Sequence, residues 1–202
     1  MTKIKLCGLS RYEDIEAVNE LKPDYIGFVF ASWSKRYVSP DKAGELKALL
    51  DPEIKVVGVF VDEKPDRIAE LLESSTIDMA QLHGSEDEEY IKGLRELTDK
   101  PLIKAFKISE KKDIMAAEES SADYVLLDSG TGTGNVFDWE LLKGMKRPYF
   151  LAEGLSPDNV EEALRTLRPF AVDVSSGIET DGLKDKDKMK QFVSLVRGSE
   201  TL

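Results

Sequence analysis

The chain has 202 residues, 41% hydrophobic and 33% charged, with a formal net charge of −11. That apolar share supports one sizeable core rather than disorder, and the acidic balance argues against broad nucleic-acid binding, which takes a basic surface. One Cys cannot close an internal disulfide, one Cys with one His is too few for a Cys/His metal centre, and apolar runs of about six residues fall far short of the ~20 that span a membrane.

Eight short apolar segments follow in chain order. They are Ile4–Cys7, Tyr25–Phe30, Val56–Val61, Met79–His83, Leu102–Phe106, Tyr124–Asp128, Tyr149–Ala152 and Ala171–Ser175. Short, β-rich and almost continuously apolar, they read as buried strands of a parallel sheet. Between them apolar residues recur at helical spacing, as in Ile15/Val18/Leu21, Ile68/Leu71/Leu72 and Val160/Ala163/Leu164/Leu167. Ser10 with Glu13 and Ser85 with Glu88 fit capping boxes, and Ser39-Pro40 and Ser156-Pro157 each put an N-cap before a helical proline. Eight strand–helix units in this length predict a single (β/α)8 barrel domain over residues 1–202. A doubly wound open sheet is the competing layout, with fewer strands and a ligand at its switch point. The N-terminal residues Met1–Lys5 carry no long apolar stretch of the kind a secretory signal needs, so the expected location is the cytoplasm.

Polar residues interrupt these strands mostly at their carboxyl ends. Lys5 and Cys7 share one face of the first strand and Gln81 and His83 one face of the fourth. Lys104, Asp128, Asp173 and Ser175 interrupt later strands. A charge buried without a partner is costly, so the set implies a polar pocket at the barrel's carboxyl mouth, where this architecture carries its sites. Each residue also has an ordinary role: Cys7 as a small hydrophobe, His83 as a strand-end histidine, the lysines as counter-ions to the aspartates.

Leu151–Pro157 follows the seventh strand and Val174–Glu179 the eighth, and loops at those positions in barrels hold phosphate with backbone N–H groups. Ordinary βα turns would look similar. Gly130-Thr131-Gly132-Thr133-Gly134 lacks the Lys and Ser/Thr of a P-loop and reads as a loop beside the mouth. After the second strand, Ala31–Tyr37 places two cations and two aromatics at the same end as Cys7. Arg36 there suits bidentate binding of a carboxylate or phosphate.

The motifs Lys5-Leu6-Cys7-Gly8-Leu9, Ser34-Lys35-Arg36-Tyr37-Val38-Ser39-Pro40, Gln81-Leu82-His83-Gly84, Leu127-Asp128, Phe137-Asp138-Trp139 and Val172-Asp173-Val174-Ser175-Ser176-Gly177-Ile178-Glu179 occur in order along nearly the whole chain. In combination they resemble the phosphoribosylanthranilate isomerases of tryptophan biosynthesis. The resemblance implies a monomeric or dimeric (β/α)8 barrel that needs no cofactor and takes a small phosphosugar. The reaction it implies is the Amadori rearrangement of N-(5-phosphoribosyl)anthranilate to 1-(o-carboxyphenylamino)-1-deoxyribulose 5-phosphate. By the same resemblance Cys7 is the general base and Asp128 the general acid. Arg36 faces the anthranilate carboxylate, Asp173 lies beside the anthranilate nitrogen or the sugar, His83 stands at the mouth, and Gly154, Ser176 and Gly177 fall in phosphate-binding loops.

The chemistry needs an acid to open the furanose ring and a base to take the C2 proton. A thiolate is the usable form of Cys, so Cys7 is expected to have its pKa lowered by cations such as Lys5. One departure is Glu153, where the family usually has a glycine; a carboxylate there would repel phosphate. Two other readings remain. One is isomerisation of the related aminoaldose phosphate of histidine biosynthesis, disfavoured because those enzymes resemble an Asp design where this chain has Cys7. The other is a non-catalytic phosphosugar-binding barrel.

Overall fold

The computed structural model describes residues 1–128, 139–152 and 154–199. Eight parallel strands close into a barrel in sequence order: β1 (Lys3–Cys7), β2 (Tyr25–Val29), β3 (Lys55–Phe60), β4 (Met79–Leu82), β5 (Leu102–Lys107), β6 (Tyr124–Asp128), β7 (Tyr149–Leu151) and β8 (Ala171–Val174). Each lies within a residue or two of a segment picked out by its apolar run. The open-sheet alternative is excluded, because β1 pairs with both β2 and β8.

Helices α1 (Tyr12–Leu21), α2 (Pro40–Ala48), α3 (Pro65–Glu73), α4 (Glu88–Arg95), α5 (Lys111–Glu119), α6 (Val160–Leu167) and α7 (Lys186–Gly198) lie between the strands and after β8. A short 3-10 helix, Trp139–Gly144, stands before β7 where an α-helix was expected. A two-stranded hairpin, β9 (Glu179–Thr180) with β10 (Leu183–Lys184), follows β8; its strands are too short to give a periodic signal.

Three of the four expected helix starts are displaced. Only Ser39 caps as read, its side chain accepting from Lys42 N with Pro40 in the first turn. Helix α1 starts later: Asp14, not Glu13, accepts from the Ser10 and Arg11 amides, so Arg11 holds the cap position. At α4 the cap is Asp87, which accepts from Tyr90 N, while Ser85 turns to Asp62. At α6 the cap position is Asn159, and Ser156 belongs to the preceding turn. In each case the cap position falls one to three residues after the expected serine, a choice that local sequence leaves open and tertiary packing makes.

The pleat sorts the strands into two faces. Ile4, Leu6, Ile26, Phe28, Ala80, Leu82, Val125, Leu127, Val172 and Val174 pack outward in the main core. Tyr25, Val57, Met79, Ile103, Leu126, Phe150 and Ala171 fill the interior. Tyr124 and Phe170 stack at 5.3 Å between centroids, and they meet Phe150 edge-on at 86° and 63°. This aromatic group plugs the amino-terminal part of the interior. Toward the carboxyl ends the same inward parity yields Lys5, Cys7, Gln81, Asp128 and Asp173, so the interior turns polar toward the mouth.

Lys104 departs from its expected place. Register pairs it with outward-facing Leu82, which puts it on the helix side rather than inside the barrel. It is satisfied there by Glu86 and the Gly84 carbonyl, each at 2.8 Å.

Candidate active site

The candidate catalytic and binding residues all come from the carboxyl half of the barrel, on different elements. Cys7 ends β1, Asp128 ends β6, Asp173 is the third residue of β8, and His83 follows β4. Arg36 lies in the loop after β2, Gly154 after β7, and Ser176 and Gly177 after β8. Residues Gly130–Gly134 and Glu153 lie outside the described residues.

Cys7 is almost wholly buried. Its register partner is Gly27. A Cβ at position 27 would sit 2.5 Å from the Cys7 sulfur, so glycine makes the space that the thiol occupies. Lys5, one inward position earlier on the strand, is fully buried and donates to Asp173 Oδ2 at 2.8 Å. Burial disfavours the Lys5 cation, but Asp173 and the thiol outweigh it and hold its pKa above the ordinary value.

The thiol itself corrects the sequence expectation. Burial pushes the Cys7 pKa up, and Lys5 and Lys184 only partly offset that, so the net direction is upward from the ordinary 9.0. Lys5 is present as expected, yet its charge is shared with Asp173, and the aspartate's own charge opposes ionisation of the thiol.

On the opposite side, His83 links β4 to β6. Its Nε2 lies 3.2 Å from Asp128 Oδ2, and its Nδ1 lies 2.7 Å from Gln81 Nε2. Two buried acceptor atoms, Asp173 Oδ1 and Gln81 Oε1, have no hydrogen-bond partner among the described residues. An orphaned buried oxygen is costly to leave, and at a pocket it marks a place for a ligand donor or a trapped water.

Arg36 presents its fork to a carboxylate, as its residue type suggested, and that carboxylate belongs to Glu179. The contacts are Nε to Oε1 at 2.5 Å and Nη2 to Oε2 at 2.9 Å. Lys184 joins from β10, donating to Glu179 Oε1 and to the Ser175 carbonyl, both at 2.8 Å. Burial raises the Glu179 pKa, but Arg36 and Lys184 overcome it and bring the value down to about 2. Burial lowers that of Lys184 despite its acidic partner. Ser175 Oγ then reaches the Cys7 carbonyl at 3.2 Å, tying this cluster to β1. Sequence reading missed Glu179 and Lys184; the signal was Glu179 ending the Asp-Val-Ser-Ser-Gly-Ile-Glu block.

The two loops expected to hold phosphate touch. A Cβ on Gly177 would lie 1.9 Å from the Leu155 carbonyl oxygen, so the loops approach as closely as only glycine permits. Ser176 and Gly177 form a 3-10 turn with Ile178, and Gly154 takes a left-handed φ of 67°.

Comparison with known proteins decides the family. The profile of the family described as N-(5'phosphoribosyl)anthranilate (PRA) isomerase matches residues 4–195. The chain belongs to the phosphoribosylanthranilate isomerase family. A relative named N-(5'-phosphoribosyl)anthranilate isomerase, from Endomicrobium trichonymphae, is 47% identical over 202 residues, covering 98% of this chain and 99% of its own. Among solved structures, a phosphoribosyl anthranilate isomerase in complex with reduced 1-(o-carboxyphenylamino)-1-deoxyribulose 5-phosphate superposes with a TM-score of 0.86 at 37% identity, covering 98% of this chain and all of that one. Monomers generated from the dimeric Thermotoga maritima isomerase give 0.85 at 36% identity with the same coverage. As a phosphoribosylanthranilate isomerase, the chain is an isomerase of tryptophan biosynthesis built on a (β/α)8 barrel.

Proposed function

We propose that this isomerase performs the Amadori rearrangement of N-(5-phosphoribosyl)anthranilate with Asp128 as general acid and Cys7 as general base. The observation carrying this reading is that a carboxyl and a thiol stand at the carboxyl ends of β6 and β1, both on the inward face of one closed barrel.

Protonated Asp128 delivers its proton to the furanose ring oxygen. The bond from C1 to that oxygen breaks while the anthranilate nitrogen supplies its lone pair to C1, giving a cationic Schiff base. That cation acidifies the C2 proton, which the Cys7 thiolate removes. The resulting enolamine takes a proton at C1 and loses the C2 hydroxyl proton, leaving the ketone. The barrel holds Cys7 protonated by burial, so the thiolate is a minority species in the absence of substrate, and the neighbouring Schiff-base cation favours it at the moment it is used.

The remaining residues orient the substrate. Glu179 occupies Nε and Nη2 of Arg36, and the donors on Nη1 receive the anthranilate carboxylate. Asp173 Oδ1 accepts from the anthranilate N–H or a sugar hydroxyl. His83 stands beside the acid at the mouth. Gly154, Ser176 and Gly177 offer backbone N–H groups to the phosphate where the two loops meet. A field of −11 repels an anionic substrate at long range, so these local donors must supply the attraction. The enzyme is read as cytoplasmic, acting as a monomer or homodimer on a small phosphosugar; no helix of the described residues is long and apolar enough to cross a membrane.

The test is steady-state turnover followed by loss of the substrate's anthranilate fluorescence. Cys7→Ala and Asp128→Ala are each expected to lower kcat by about 10²-fold or more, the scale of a positioned acid or base, while circular dichroism stays native. Parent-like rates in both variants would defeat the assignment. Binding without turnover in the parent protein would favour a non-catalytic phosphosugar-binding barrel.

A further inference from the structure

Gln81 is 1% exposed, inside the barrel at the carboxyl end of β4. Its Nε2 is 2.7 Å from His83 Nδ1, and His83 Nε2 is 3.2 Å from Asp128 Oδ2, so the three side chains form one line ending on the acid. An amide nitrogen donates and does not accept, so Nδ1 is the imidazole nitrogen without a proton. Nε2 then carries the hydrogen and donates to Asp128. Turning the amide over would put its NH2 where Oε1 now lies buried and unpartnered. A buried orphan N–H is less tolerated than a buried orphan carbonyl, which favours the orientation seen.

We propose that Gln81 is a positioning residue for the acid step: it holds His83 in the Nε2–H tautomer and thereby sets which oxygen of Asp128 bears the transferable proton. The inference rests on the reading of Asp128 as the general acid. A carboxylic acid accepts hydrogen bonds best through its carbonyl oxygen, so the His83 N–H at Oδ2 favours Oδ2 as the carbonyl and Oδ1 as the hydroxyl. As the bond from C1 to the ring oxygen breaks, the proton passes from Oδ1 to that oxygen. Asp128 is left as a carboxylate whose Oδ2 already receives the His83 hydrogen bond. In the other tautomer Nε2 would be a lone pair, and the acid proton would be drawn to the imidazole and away from the sugar. Gln81 acts on the transferable proton through His83.

The chain has a single histidine, so its imidazole nitrogens give one unambiguous set of signals. Long-range ¹H–¹⁵N spectra of histidine-labelled protein are expected to show a protonated Nε2 and an unprotonated Nδ1 for neutral His83. A native spectrum with the proton on Nδ1 overturns the proposal without any variant being made. Gln81→Met, similar in shape but unable to donate, is expected to give a mixture of tautomers. It should lower kcat by about tenfold or more, part of the ~10²–10⁴ a positioned acid supplies, with KM within about twofold. An unchanged tautomer in Gln81→Met, or a released tautomer with parent kcat, also overturns it. Failure of the acid assignment itself shows differently, as full turnover in Asp128→Ala with the native tautomer intact.

Discussion

Lys5 and Asp173 are register partners on β1 and β8, and their side chains meet inside the barrel at 2.8 Å. The lysine is fully buried and the aspartate nearly so, in the inward position just below Cys7. The pair closes the seam between first and last strands with a charge contact and sets the electrostatics beneath the thiol.

Removing one partner should therefore cost much more than removing both. Lys5→Met leaves a buried, unpaired carboxylate and is expected to lose about 3–5 kcal/mol in urea unfolding, whereas the double variant Lys5→Met/Asp173→Leu recovers most of that loss. Equal losses in the single and double variants would show that the carboxylate finds another partner or water.

Cys7 titrates upward from the ordinary thiol value because burial outweighs Lys5. The chain has one cysteine, so iodoacetamide alkylation reports on it directly. The pH midpoint of its alkylation rate is expected above 9.0, and Lys5→Met should move it further up by removing the largest opposing charge. A midpoint below 9.0 in the parent protein would show that the cations dominate.

Glu179 has a folded pKa of about 2 against an ordinary 4.5. A depressed carboxylate contributes its stability in full above the unfolded value and loses it as pH falls through the folded value. Between pH 4.5 and about 2, unfolding free energy should fall with acidity, and Glu179→Gln should flatten that part of the profile. The same variant releases two donors of Arg36, so its KM reports whether the fork serves the substrate.

Gly177→Ala would place a methyl group 1.9 Å from the Leu155 carbonyl, and the loops after β7 and β8 must separate to admit it. If they grip the phosphate together, KM should rise by about tenfold or more, as expected for ~1–3 kcal/mol of steric misfit. An unchanged KM with a native circular dichroism spectrum would place the phosphate elsewhere.

The strands were legible because each is a short apolar run buried on both faces, a signal that needs no neighbour to be read. The polar residues at strand ends were legible for the complementary reason: Cys7, His83, Asp128 and Asp173 interrupt those runs where a core would exclude them. Helix starts were less so, since the caps fell one to three residues beyond Ser10, Ser85 and Ser156, shifts that packing and not local spacing decides. Lys104 was misplaced because parity along a single strand does not say which face is inside; pairing with Leu82 fixes that.

By itself, the sequence determined the number and order of the strands and the motif order that carries the family resemblance, because periodicity and motif order are local properties of the chain; that the sheet closes, β8 against β1, was decided by the structure. Tertiary structure alone decided the pairings: Lys5 with Asp173, Arg36 with Glu179, and Gln81 through His83 to Asp128. It also decided the direction of the Cys7 pKa. Desolvation and Coulomb forces depend on distances between residues as far apart as 168 positions, and those distances exist only once the barrel has closed.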